Sequence, residues 1–139
     1  MSKENIELAR RVIGDLSALF DLFDDYVIWD YRAYSPVDRD EPVFGKQAIM
    51  ADVRKWIGTW ADYTFEVEEL IDAGDSVVLV VNERGQGRGS GAPMEHHYCT
   101  IWTFRNGRII RGEAYPTKAE ALEALGLDPA GSSAGRAWS

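Results

Sequence analysis

The dipeptide Asn106-Gly107, set between two alternating runs of aromatic and β-branched residues, constrains this chain most. Both residues tolerate positive φ, and the type I′ turn they favour matches the twist of paired strands. The stretch from Met94 to Tyr115, MEHHYCTIWTFRNGRIIRGEAY, therefore reads as a long β-hairpin. With an unbroken ladder, Phe104 faces Ile109, Trp102 faces Arg111, Thr100 faces Glu113 and Tyr98 faces Tyr115. One face then carries His96, Tyr98, Thr100, Trp102 and Phe104 with Ile109, Arg111, Glu113 and Tyr115. The other carries His97, Cys99, Ile101 and Thr103 with Ile110, Gly112 and Ala114. The first face has the mixture expected of a small-molecule cavity, aromatic walls with a few polar groups. It also fits a half-exposed sheet face on which Arg111 and Glu113 form ion pairs. The second face suits helix packing or a subunit interface.

At 139 residues the chain reads as one domain over residues 1–127, followed by a flexible Gly/Ala/Ser-rich tail, residues 128–139. A net charge of −8 without a basic cluster argues against nucleic acid. The N-terminus has no apolar signal-like core, and no run of about 18 apolar residues could span a bilayer. These features point to a cytoplasmic protein without a membrane partner. Cys99 is the single cysteine, which removes an intramolecular disulfide and reads as a small buried hydrophobe. His97 on its strand face is a candidate activating base. His96 and His97 point to opposite faces of a strand, so together they do not chelate one ion.

Along the chain, Lys3 to Ile13 and Leu16 to Phe23 carry apolar residues at helical spacing, and Asp25 to Arg32 has strand composition. Ala33 to Phe44 reads as a Pro-broken loop over a pocket mouth. A third helix, KQAIMADVRKWIGTW, brings Trp56 and Trp60 one turn apart as a wall, with core packing as the competing role. Tyr63 to Asp72 and Ser76 to Arg84 form a second hairpin, and Gly85 to Gly91 a twisted, bulged strand end. Thr117 to Leu125 is a C-terminal helix. The expected class is α+β, a curved antiparallel sheet with helices packed across its concave face.

The strand DDYVIWDY after two helices, the pair IDAGDSVVLVVNERGQGRGSG, the hairpin WTFRNGRIIRGEAY and the trailing KAEALEALGL resemble a SnoaL-like protein of the nuclear transport factor 2-like superfamily. The resemblance spans about residues 4–127. That superfamily includes polyketide cyclases, ketosteroid isomerase, limonene epoxide hydrolase, dehydratases and binding domains. Phe23 to Asp30 is similar to the ketosteroid isomerase segment ending in the catalytic aspartate, which implies a general-base position for Asp30. Thr100 falls where those isomerases keep a protonated acid in their oxyanion hole. Their helical tyrosine has no counterpart between Ile6 and Val12.

These residues suggest a cofactor-independent cyclase or isomerase acting on a small apolar carbonyl compound through an enolate. Asp30, between Trp29 and Tyr31, is the expected base; Glu113, His96, Tyr98 or Tyr115 is the expected proton or hydrogen-bond donor. Trp29, Tyr31, Trp56, Trp60, Tyr98, Thr100, Trp102, Arg111 and Tyr115 are the expected substrate contacts, with no metal site and no cofactor. Pairing of Asp30 with Arg32 or Arg111, and of Glu113 with Arg111, is the competing structural role. An epoxide hydrolase using Arg111 to help activate water, or a ligand-binding domain without chemistry, are the alternative functions. A homodimer through the sheet face around Ile101 and Ile110 is compatible with each.

Overall fold

The computed structural model describes residues 2–34 and 41–127. The expected tail, residues 128–139, and the middle of the proline-containing loop lie outside the described residues. Helix α1 (Ser2–Val12) stops at Gly14, whose φ of 86° favours glycine. Asp15 then opens α2 (Leu16–Leu22), its carboxylate accepting from the Ala18 N–H as an N-cap. β1 (Phe23–Asp30) follows directly, then the short β2 (Val43–Phe44) and α3 (Lys46–Gly58). Strands β3 (Trp60–Ala73), β4 (Ser76–Gly87), β5 (Pro93–Arg105) and β6 (Arg108–Tyr115) precede α4 (Lys118–Ala124). Thr117 caps α4 by accepting from the Glu120 N–H.

The six strands run in the order β2-β1-β6-β5-β4-β3. All neighbours are antiparallel except β1 and β6, which pair in parallel, so the expected antiparallel sheet is mixed. The glycine-rich stretch keeps β4 extended to Gly87 and then turns, the Gly91 N–H donating to the Gly87 carbonyl. Two faces of this sheet hold two cores. α1, α2 and α3 cover the inner face, where Phe23, Val27, Ile49, Val77, Leu79, Val81, Trp102 and Ile109 are buried. α4 packs on the outer face over Ile71, Val78, Cys99 and Ile101. Ile101 is thus covered within the protomer and is not available for the dimer contact expected of it.

The β5–β6 hairpin turns at Asn106 and Gly107, with φ of 52° and 75°, and Phe104 faces Ile109 as expected. Beyond that pair the register is shifted by one. Thr103 faces Arg111, Trp102 faces Gly112, Ile101 faces Glu113, Thr100 faces Ala114 and Cys99 faces Tyr115. Ile110 is the extra residue of a β-bulge, and with a side-chain period of two a single extra residue reverses every later position. Arg111, Glu113 and Tyr115 therefore leave the face of Tyr98, Thr100 and Trp102, and Gly112 and Ala114 take their places. The two-face assignment read from an unbroken ladder is corrected accordingly.

Candidate functional site

Between the inner sheet face and the helices lies a cavity of about 580 Å³. Aromatic residues from three strands and α3, Trp29, Trp56, Tyr63, Phe65, Tyr98 and Trp102, form its walls, and Tyr31 and Tyr34 follow β1 along its rim. Leu16, Leu19, Val53 and Ile57 complete the apolar surface from the helices. Thr100 and Ala114 lie on its floor; the Thr100 hydroxyl donates to the Glu113 carbonyl across the hairpin.

Glu83 is the buried acid of this space, 3% exposed and on the cavity wall. Its position follows from strand periodicity: Val77, Leu79 and Val81 face the inner core, and Glu83 is two residues further along β4. Three side chains converge on its carboxylate. The Tyr63 hydroxyl donates at 2.6 Å and the Trp56 indole N–H at 3.2 Å, while His96 Nδ1 lies 3.3 Å from Oε1. His96, opposite Glu83 in the β4–β5 ladder, stacks on Trp56 with ring centroids 5.8 Å apart. Among the described residues no lysine or arginine pairs with Glu83. Burial, reinforced by the negative charge of Glu83, pushes the phenols of Tyr63, Tyr98 and Tyr34 up from their ordinary range. All three remain hydrogen-bond donors at neutral pH.

Asp30 and Glu113 do not open into this cavity. They are partners in the parallel β1–β6 ladder and lie with Arg111 and Tyr115 on the outer side. Asp30 accepts from Arg32 Nε at 3.0 Å and Nη2 at 2.8 Å, and from Arg111 Nη2 at 3.0 Å. Arg111 Nε also stands 3.4 Å from Glu113, whose carboxylate accepts from the Tyr115 hydroxyl at 2.8 Å. The Arg32 hydrogen bond, with Arg111 adding to it, holds the Asp30 carboxyl at about 2 against its ordinary 3.8, although partial burial opposes this. Burial and the Glu113 hydrogen bond raise Tyr115 to about 12. Asp30, expected as a base beside the substrate, is therefore an ionised member of an ion-pair network. The bulge at Ile110 is the physical reason that Glu113, Arg111 and Tyr115 join it there.

Arg32 is largely exposed, which keeps the network in the range of solvent-screened ion pairs, and Asp30→Asn is expected to cost about 1 kcal/mol near neutral pH. The depressed folded-state value means that this stabilisation is present above pH ~4 and is lost as pH falls through about 2. Denaturant midpoints of both proteins at neutral pH and at pH ~2 measure it; an unchanged gap at the acid end contradicts the assignment.

Trp56 does line the cavity, whereas Trp60 begins β3 and meets Trp56 edge-on, centroids 5.3 Å apart and planes at 73°. Trp60 is not among the lining residues, so the two-tryptophan wall is a one-tryptophan wall with a packed neighbour. Burial raises the Cys99 thiol to about 11, which suits a core side chain and not a nucleophile. His97 points outward, near Glu68 and Glu95. Among the described residues no three His, Cys, Asp or Glu side chains converge as metal ligands, and no helix is long and apolar enough to cross a membrane.

Solved structures of this fold overlay closely. A protein from a soil-derived mobile gene cassette, Bal32a, aligns with a TM-score of 0.71 at 21% identity, covering 89% of this chain and 97% of that one. A Jannaschia protein described as a putative SnoaL-like polyketide cyclase aligns at 0.69 and 17% identity, with 88% and 91% covered. A Mycobacterium tuberculosis protein in complex with estradiol-17beta-hemisuccinate aligns at 0.67 and 18% identity, with 83% and 95% covered. At these identities the likeness establishes the fold. No curated protein matches the chain by sequence. The model of the SnoaL-like domain matches residues 11–112, a span running from the end of α1 to the middle of β6, and the chain belongs to the SnoaL-like family.

Proposed function

We propose that the protein carries out cofactor-independent proton transfer on a small, largely apolar carbonyl compound held in the inner cavity, with Glu83 taking the proton. The observation behind this reading is the buried Glu83 carboxylate on an aromatic wall, paired with a phenol, an indole and an imidazole and with no cation from lysine or arginine among the described residues. Glu83 would remove a proton from the carbon next to the carbonyl group, and the electron pair of that C–H bond would move into the enolate. The Tyr98 phenol, kept protonated by burial, would donate a hydrogen bond to the enolate oxygen. His96, with its side chain about a quarter exposed, links Glu83 to solvent and suits the return of the proton. Isomerisation or ring closure through such an enolate is the chemistry of cyclases and isomerases in this fold superfamily. Asp30, Arg111, Glu113 and Tyr115 are assigned to the outer network in this reading.

Exchange of α-hydrogens of 2-tetralone for solvent deuterium, followed by proton NMR, tests this directly. The wild-type protein should accelerate exchange over buffer, and Glu83→Gln should lower that acceleration by about a hundredfold or more. Equal rates in the two proteins would remove Glu83 as the base.

A second reading, a ligand-binding protein without turnover, is favoured by the three side chains that already converge on Glu83 and hold its carboxylate in place. In that case neither protein accelerates exchange, while the ketone still binds.

A further inference from the structure

We infer that the ligand of the inner cavity carries a positively charged nitrogen, an ammonium or quaternary ammonium group, seated among aromatic rings against Glu83. This rests on the cavity being the ligand site and not on Glu83 taking a proton. The sign of the cavity is the first observation. Its described lining residues include three acids, Asp15, Asp52 and Glu83, and no lysine, arginine or histidine. Among the described lining residues an anionic ligand would meet the buried Glu83 carboxylate and no lysine or arginine, so a free acid or phosphate is disfavoured beside it. Asp15 is engaged as the α2 cap and Asp52 has an interaction of its own, and Glu83, 3% exposed, is the acid set deepest in the aromatic wall.

The rings around Glu83 are the second observation. Tyr31, Tyr34, Trp56, Tyr63 and Tyr98 line the same space. Tyr34 stacks on Tyr98 with centroids 5.4 Å apart and planes at 19°, while Trp56 and Tyr63 hold the carboxylate itself. Aromatic faces attract a cation within about 6 Å through the ring quadrupole, and the attraction is strongest where water is excluded. A neutral apolar ligand would gain only packing contact from the rings, which an aliphatic side chain also offers, and nothing from the carboxylate. A cation gains from both. His96 is the remaining neighbour of Glu83; it approaches the carboxylate without lining the cavity, so it leaves the aromatic space open to a ligand.

The cavity volume leaves room for a ring or short chain beyond the charged group. The remaining walls, Leu16, Leu19, Val53, Ile57 and Phe65, are apolar, so the rest of the molecule is hydrocarbon in character. An aromatic or alicyclic amine, or a methylated ammonium derivative of one, fits this division, and under the proton-transfer reading the same skeleton also carries the carbonyl group.

Two probes of one shape but different charge decide the matter: 3-hydroxyphenyltrimethylammonium and 3-tert-butylphenol, titrated calorimetrically into the intact protein at equal salt. The cation is expected to bind about tenfold more tightly than the phenol. Glu83→Gln should shrink that preference to about twofold, and Tyr34→Leu should weaken the cation about threefold while leaving the phenol unchanged. Tyr34 lies past the end of β1, so its replacement gives a folded protein should Glu83→Gln fail to fold, and its result alone then decides. Equal or tighter binding of the phenol to the wild type, or no binding of either probe at millimolar concentration, overturns the inference. So does a cation preference that survives the substitutions. Preferred binding of the cation with no deuterium exchange in 2-tetralone would retain this inference and sink the proton-transfer reading; the opposite pair of results would do the reverse.

Discussion

Gly112→Val is expected to cost about 4 kcal/mol or more, enough to leave much of the chain unfolded at ordinary temperature given typical domain stabilities of about 5–15 kcal/mol. A Cβ at position 112 would stand 2.5–2.6 Å from three atoms of the Trp29 ring. Trp29 and Gly112 are ladder partners in β1 and β6, so hydrogen bonds fix both backbones, and neither strand can withdraw without breaking the parallel pairing. The indole is buried and packed against Phe23 with ring centroids 5.3 Å apart, so it can give way only by leaving that contact for the cavity it lines. Ordinary overpacking costs about 1–3 kcal/mol because neighbours shift a little, and here a whole rigid ring would have to be displaced between two paired strands. Urea unfolding would give the loss. Trp29→Leu in the same chain should recover part of it, a coupling that a general effect of glycine replacement would not show. A Gly112→Val protein with the wild-type midpoint would contradict the account.

Phe23→Ala should destabilise the protein by about 3–5 kcal/mol. Phe23 is fully buried where α2 passes into β1, and its ring lies between Phe20, at 5.6 Å, and Trp29. Its backbone N–H donates to the Phe20 carbonyl and closes α2. An alanine would keep that backbone bond and remove the ring that joins helix, strand and cavity wall. The surrounding groups come from different elements of the sheet and helices, which limits their collapse into the void. Equilibrium denaturation measures the difference; a loss under about 1 kcal/mol would show that α2 repacks freely.

Element type was readable because periodicity and turn chemistry are local. Asn106-Gly107 sets the hairpin tip, and the helical spacing of Ile6, Ala9 and Val12 sets α1 without reference to distant contacts. The placement of Thr100, Tyr98 and Trp102 on the cavity also follows from alternation along β5 alone. The side of β6 did not follow, because it depends on whether Ile110 is counted in the ladder, and nothing in RNGRIIRGEAY marks a bulge. That one residue moved Arg111, Glu113 and Tyr115 to the outer face. The parallel partner of β1 was equally hidden, since it depends on a strand late in the chain. Glu83 was legible in principle: it extends the inward series Val77, Leu79, Val81 by one step of two. The apolar run preceding it reads as a strand buried on both sides and draws attention from the charged residue at its end.

The parallel ladder between β1 and β6 sets an order of events during synthesis. Arg111 and its acceptor Asp30 are 81 residues apart, and most of the strands lie between them in the chain. Within this fold α1, α2 and β1 are made before the other elements, yet among the described residues β1 has only the two-residue β2 to pair with until β6 has been made. The long edge of β1 must wait unpaired, with only α2 and α3 to cover its apolar face, while the β3–β4 and β4–β5 hairpins assemble locally, because closing so long a loop is entropically costly until β6 can offer its edge. The first-made elements of this fold are thus among the last to be secured, and the interval between is when a nascent chain of this fold is most open to misassociation.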